Sequence, residues 1–481
     1  MEFKKSFAST IALIFVASVV VFPIPLTAIS ESDDEWELVM DGEDLVVLVQ
    51  GLEEYCWELA RPPYGPWDKI ALRRLVKIDE ESIGTIFIFP GTWSSGDQVI
   101  SSDDFYQDYL EAIGANEKTR EELSQKIANH SIAHYLAIRG FDVYSIDYRT
   151  HYVPMTSTQS DLGFMKNWGW EMYIEDAKLA FEKAKEASGK DKMFLGGMSF
   201  GGMLAMNYAS VYWEEDLEGI VLLDGGNGGR SDPVELISNI IQIPIPLLER
   251  ILDTAFIGIP LLGPFLKVLT HFLGVYALDK AGDLGPILNT MPLPLNSIPD
   301  YPEVIEYAKQ HPLEPPLDPV TGEVLEPAIN PVTGEPSENY LEWLGGSQAS
   351  SELASNIQGG YNDLKNLGLV ALRSDRYWPI QIYLEHIADL MRPGYRSDGG
   401  IWNRDYFNFY AHYSEIDVPL IAFISRFGLM MWGEFDPEIK NQDVTGYTLT
   451  EFGHLDIYSG TYNDVMVIEP TYQWLLDHIG G

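Results

Sequence analysis

Cysteine is all but missing: Cys56 stands alone among 481 residues. That excludes an intramolecular disulfide and any cysteine-built metal cluster, and leaves Cys56 to be read as a small buried hydrophobe. Basic residues are scarce as well, 31 Lys and Arg against 72 Asp and Glu, for a net charge of −41. Nucleic acid and anionic lipid headgroups would both be repelled, so neither is expected as a partner. The acidic excess reads as a solvated surface and not as disorder, because 46% hydrophobic and 12% aromatic residues suffice for a packed interior. Metal-ligand spacing is lacking too. His130 and His134 share a predicted helix face but have no third ligand and no adjacent glutamate, so neither a metal nor another cofactor is expected.

What is present begins with an N-terminal address. Lys4 and Lys5 precede an apolar run from Ile11 to Phe22, and Ala28 and Ser30 then supply small residues for cleavage. Residues 1–30 therefore read as an export signal or, uncleaved, as a membrane tether, since the run is nearly long enough to span a bilayer. Either way the body of the protein is expected outside the cytoplasm.

From Gly84 onward short β-rich runs alternate with helical patterns. "GTIFIFPGT" (84–92), "FDVYSIDYR" (141–149), "KMFLGGMS" (192–199) and "EGIVLLDGG" (218–226) read as strands. Between them, "SQKIANHSIAHYLAIRG" (124–140) has helical spacing and stops at Gly140, and a second helix places Tyr173, Ala177, Ala180 and Ala184 on one face before Gly189. Strands separated by such helices imply right-handed crossovers, hence an α/β fold with a mostly parallel sheet covered on both faces. The rhythm breaks at about Gly225 and resumes with "VPLIAFIS" (418–425), "VTGYTLTEF" (444–452) and a terminal helix. The block between, residues 225–415, is first strongly apolar, from Leu236 to Leu273, with a helix start at Asp232 and Pro233. It then turns proline-rich and carries "DPVTGEV" at Asp318 and "NPVTGEP" at Asn330, which read as two similar turns. The expected layout is residues 1–30, a core in two parts (31–224 and 416–481), and an insertion over 225–415.

The stretch "LGGMSFGG" (195–202) lies between a predicted strand and a predicted helix. Gly197 and Gly201 remove Cβ atoms that would clash in a sharp reversal around Ser199, lifting its hydroxyl to the carboxyl end of the sheet. Together with "FPGT" after the 84–89 strand, "FDVYSIDYR" and "FGHLD" near the end, this pattern resembles the α/β-hydrolase fold family, over a little more than half of the chain.

The resemblance implies Ser199 as nucleophile and His454 in "FGHLD" as its base, in the family's chain order. It implies an oxyanion hole from the backbone N–H groups of Phe200 and Thr92, worth about 3 kcal/mol per donor, with Trp93 beside the acyl pocket. The acid is expected after "VPLIAFIS", where Asp436, followed by Pro437, is preferred; Asp224, Glu434 and Asp443 stay open. Asp147 and Arg149 read as a structural ion pair, His412 as a residue that could line the substrate pocket, and His478 as structural. The insertion, placed after the family's sixth strand, is expected to act as a lid, its apolar run either packing on the core or roofing an acyl tunnel. The implied activity is hydrolysis of carboxylic esters, small-molecule or lipid, with an apolar part. An amidase, peptidase or acyltransferase on the same triad, or an inactive binding protein, is the alternative.

Overall fold

A computed structural model describes residues 35–42, 51–100, 109–157, 159–226, 290–292, 301–326, 336–350, 364–379, 409–426 and 439–480, with the single residues 49 and 382. From Glu37 to the end the chain forms one compact unit. The N-terminal address, the run Leu236–Leu273 and Asp232–Pro233 lie outside the described residues. Among those described, no helix is long and apolar enough to cross a membrane.

Nine strands make one sheet in the order β1-β2-β3-β5-β4-β6-β7-β10-β11. They are β1 (Glu37–Met40), β2 (Leu52–Ala60), β3 (Lys69–Lys77), β4 (Gly84–Phe89), β5 (Phe141–Asp147), β6 (Met193–Met198), β7 (Leu217–Leu223), β10 (Leu420–Ser425) and β11 (Val444–Leu449). The expected parallel, helix-covered sheet is present from β5 to β11. All residues of β4, β5 and β10 are buried, as strands covered on both faces must be.

The N-terminal edge was not legible in the same terms. There β1, β2 and β3 run antiparallel, and β3 joins β5 antiparallel. Its signal is the two-residue alternation of burial in β2, which a search for apolar runs passes over. The expected 124–140 helix is two helices, α1 (Glu117–His130) and α2 (Ile132–Ile138). Ser131 between them takes an extended conformation, and its hydroxyl faces the N–H of His134 at 3.5 Å, capping α2. Helix α3 (Trp170–Ser188) buries Tyr173, Ala177, Ala180 and Ala184 as expected and ends at Gly189, φ 68°. Helix α4 (Phe200–Asp216) follows β6 directly.

Within 225–415 the described parts include the strands β8 (Thr290–Pro292) and β9 (Tyr377–Pro379), paired with each other, and helices α5 (Tyr301–Gln310), α6 (Tyr340–Ser350) and α7 (Leu364–Leu372). They carry their own core, built on Val304, Ile305, Tyr340, Leu341, Leu344 and Ala371. The Asp318 motif is a turn, as read: its carboxylate accepts the N–H groups of Val320 and Thr321 (2.8 and 2.7 Å), and Gly322 has φ 71°. Helix α8 (Glu469–His478) closes the chain.

Asp147 and Arg149 do not pair with each other. Arg149 holds Asp176 (2.7 Å) and Asp68 (2.8 Å), while Asp147 holds Arg73 (2.8 Å), all but Arg73 being buried. Cys56 is buried as expected, its thiol pushed up to about 12 by desolvation.

Candidate active site

Strand register decides what meets at the carboxyl edge of the sheet. Phe89 is level with Gly197, Met198 with Leu223, and Leu223 with Phe423. The turns after β4, β6, β7 and β10 therefore emerge side by side, and the loop after β11 returns beside them.

Ser199 is the first residue beyond β6. Its backbone is left-handed at φ 53°, ψ −119°, a conformation that costs a non-glycine residue about 1–3 kcal/mol. The strain is held by close backbone packing. A Cβ on Gly197 would lie 2.1 Å from the carbonyl oxygen of Gly201, and one on Gly201 2.1 Å from that of Phe89. Both glycines are thus required, as the sequence suggested. The N–H of Ser199 donates to Leu223 O at 3.0 Å, tying the turn to the end of β7.

The next residue along β7 is Asp224, wholly buried and itself left-handed at φ 53°. Its neighbour Gly225 presses on the turn so closely that a Cβ there would meet Ser199 O at 1.9 Å. The Asp224 carboxylate accepts three hydrogen bonds: the Ser425 N–H (2.7 Å), the Ser425 hydroxyl, and His454 Nδ1 (2.5 Å). His454 is buried, 7% exposed, and its loop is folded by Asp456, whose carboxylate accepts the N–H of Gly453 (2.8 Å).

Asp224 is one of the acids that the sequence left open. The place assigned to Asp436, the far nitrogen of His454, is taken by Asp224. Asp436 and Glu434 lie outside the described residues, and Asp443 is turned to His478 Nε2 at 3.1 Å. The reason is geometric: β10 pairs with β7, so the end of β10 presents Ser425 to the Asp224 carboxylate and fixes it toward the returning loop.

Phe200 begins α4, so its N–H has no acceptor within the helix. The turn Pro90–Trp93 runs beside Ser199: a Cβ on Gly91 would lie 3.3 Å from Ser199 Cβ. Thr92 follows Gly91 in that turn, and Phe200 follows Ser199 in the chain. Trp93, left-handed at φ 56°, leans its ring on the core of the insertion.

A cavity of about 950 Å³ opens between residues 151–156 and α5. Its walls are mixed: Val153, Met155 and Leu372 stand beside charged groups such as Glu303, Glu306 and Arg376, and Asp375, which also lines it, bonds through its N–H to Trp93 O (2.9 Å).

Other described histidines have neighbours of their own. His130 bonds Asn463 (2.8 Å), and His134 on the separate α2 is buried, its imidazole lowered to about 3 by desolvation. No metal-ligand group occurs among the described residues. His412 pairs with Glu415 (3.0 Å), and His478 bonds the Trp474 carbonyl (2.6 Å).

A family model described as "Serine aminopeptidase, S33" matches residues 121–314, less than half of the chain but including Ser199 and Asp224. A solved structure described as "a putative lipase from Sulfolobus solfataricus" is similar at 25% identity and TM-score 0.59, over 92% of this chain and 99% of that one. A carboxyl esterase from Bacillus coagulans (13%, 0.40, covering 90% of this chain and 100% of that one) resembles it more distantly. So does a monoacylglycerol lipase from Paleococcus ferrophilus (11%, 0.36, 89% and 99%). These last two are too remote to inform on this chain. No curated protein matches the sequence.

Proposed function

We propose that the chain, a serine hydrolase of the α/β-hydrolase fold similar to lipases and esterases, cleaves carboxylic esters with an apolar acyl or alcohol part through an acyl-enzyme. The observation that carries the mechanism is the His454–Asp224 pair, joined through β7 to the strained Ser199. Ser199 Oγ attacks the ester carbonyl while His454 Nε2 takes its proton; Asp224, on Nδ1, keeps that nitrogen protonated and stabilises the imidazolium. The oxyanion is received by the N–H groups of Thr92 and Phe200. The proton then passes from His454 to the leaving alcohol, and a water activated by His454 releases the acid.

Localisation outside the cytoplasm, by a cleaved signal or a tether, rests on residues 1–30, and the N-terminal sequence of the mature native protein checks it.

A fluorophosphonate should label the wild type and not Ser199→Ala; labelling that survives the substitution defeats the assignment. On p-nitrophenyl esters, medium or long chains should exceed acetate in kcat/KM by at most about 1 kcal/mol per packed methylene. A preference for acetate or for peptide amides overturns the apolar-ester reading.

A further inference from the structure

The segment Arg373–Trp378 of the insertion touches both halves of the oxyanion site proposed above. At its near end the N–H of Asp375 donates to Trp93 O at 2.9 Å, one residue beyond Thr92. The Asp375 side chain, 8% exposed, is anchored in turn: Thr150 Oγ1 donates to Oδ2 at 3.0 Å, and His151 Nδ1 lies 3.4 Å from Oδ1. Trp93 needs such a hold, since it keeps a left-handed backbone that bulky residues avoid.

At the far end Trp378, wholly buried, sets its ring edge-on to Phe200 with centroids 4.9 Å apart. Tyr148 and Tyr173 close the nest, each 5.8 Å from Trp378. The buried Nε1 of Trp378 has no hydrogen-bond partner among the described residues, so the ring serves here by its shape.

We infer that Asp375 and Trp378 are positioning residues that fix the spacing of the Thr92 and Phe200 N–H groups, an inference that rests on the ester-hydrolase reading. Asp375 acts through the Trp93 carbonyl and Trp378 through the Phe200 ring. The insertion thereby supplies part of the rigidity of the oxyanion site. Oxyanion donors act on charge that develops in the transition state, and a misplacement of about 1 Å lowers the rate on the order of 10²-fold. Loosening either contact should therefore reduce kcat and leave KM nearly unchanged.

The test measures Asp375→Ala and Trp378→Ala on one p-nitrophenyl ester, beside a trifluoromethyl ketone that adds Ser199 Oγ and presents the tetrahedral oxyanion. Expected are a kcat lower by about 10- to 100-fold, KM within about twofold, and ketone affinity falling by the same factor as kcat/KM. Asp375→Asn, which can still accept from Thr150, and Trp378→Phe, which keeps a ring, should retain most of kcat and of ketone affinity. If kcat and ketone affinity hold in the alanine variants while KM or Tm shifts, the segment merely fastens the insertion and the inference is overturned. Should an alanine variant not fold, Thr150→Val, which removes the donor to Asp375, and Trp378→Leu, which removes the ring, take its place: a drop in Tm with ketone affinity unchanged there overturns it equally. Fluorophosphonate labelling of the wild type separates the two readings. An unlabelled wild type removes both, whereas a labelled one with unaffected variants removes only this inference.

Discussion

The two halves of the sheet's carboxyl edge are built by opposite means. Around β6 and β7 the chain is fixed by backbone against backbone: Gly197, Gly201 and Gly225 allow approaches that no side chain could share. Around β3 and β5 it is fixed by buried charge, with Arg149 on Asp176 and Asp68, Arg61 also on Asp176, and Arg73 on Asp147 and Glu54. The first half holds the proposed chemistry and the second holds the N-terminal hairpin to the core. Close backbone packing sets geometry rigidly because nothing in it can rotate; ion pairs tolerate adjustment but leave an uncompensated charge when broken.

Four measurements bear on that contrast. The largest effect is expected in the glycine-built half, where Asp224→Asn should lower kcat by as much as about 10⁴-fold with little change in KM. Asp436→Asn should stay near wild type in the same assay; a large loss there with Asp224→Asn nearly unaffected would return the acid to the loop after β10. Next, Gly201→Ala must displace Phe89 O and is expected to cost more than about 4 kcal/mol, read as a loss of Tm or of soluble protein. Arg149→Met should cost about 3–5 kcal/mol by stranding buried carboxylates, while the folded fraction keeps its fluorophosphonate reactivity. Equal loss of reactivity per folded molecule would show that the two halves are not separate.

The smallest effects are titrations of opposite sign. His134 is lowered to about 3 by burial, so its contribution is present above about 6.5 and is lost as pH falls toward 3. His151 is opposed by burial but raised to about 9 by Asp147, Asp375 and Asp97; its contribution is present below about 6.5 and is lost as pH rises through 9. Denaturant midpoints across pH should lose part of their acid limb in His134→Phe and part of their alkaline limb in His151→Gln.

The same contrast explains what the sequence disclosed. Gly197, Ser199 and Gly201 are legible because backbone contacts demand particular residues at fixed spacing, and the 3.6-residue face of α3 is legible for the same local reason. The ion pairs were not, since Asp68, Arg149 and Asp176 are brought together from 27 and 81 residues away by the fold alone. The proposed acid falls between these cases. Asp224 ends a clear strand, but its claim depends on β10 pairing with β7 and on Ser425 bonding its carboxylate, a contact 201 residues distant. "DGG" after an apolar strand held one usable hint, since a glycine directly after the aspartate allows the close approach to Ser199.

With the proposed nucleophile and acid at the ends of neighbouring strands, the hydrogen bond from Ser199 to Leu223 makes them a single rigid fixture. In that proposal a change at the end of either strand is felt by both reacting groups at once.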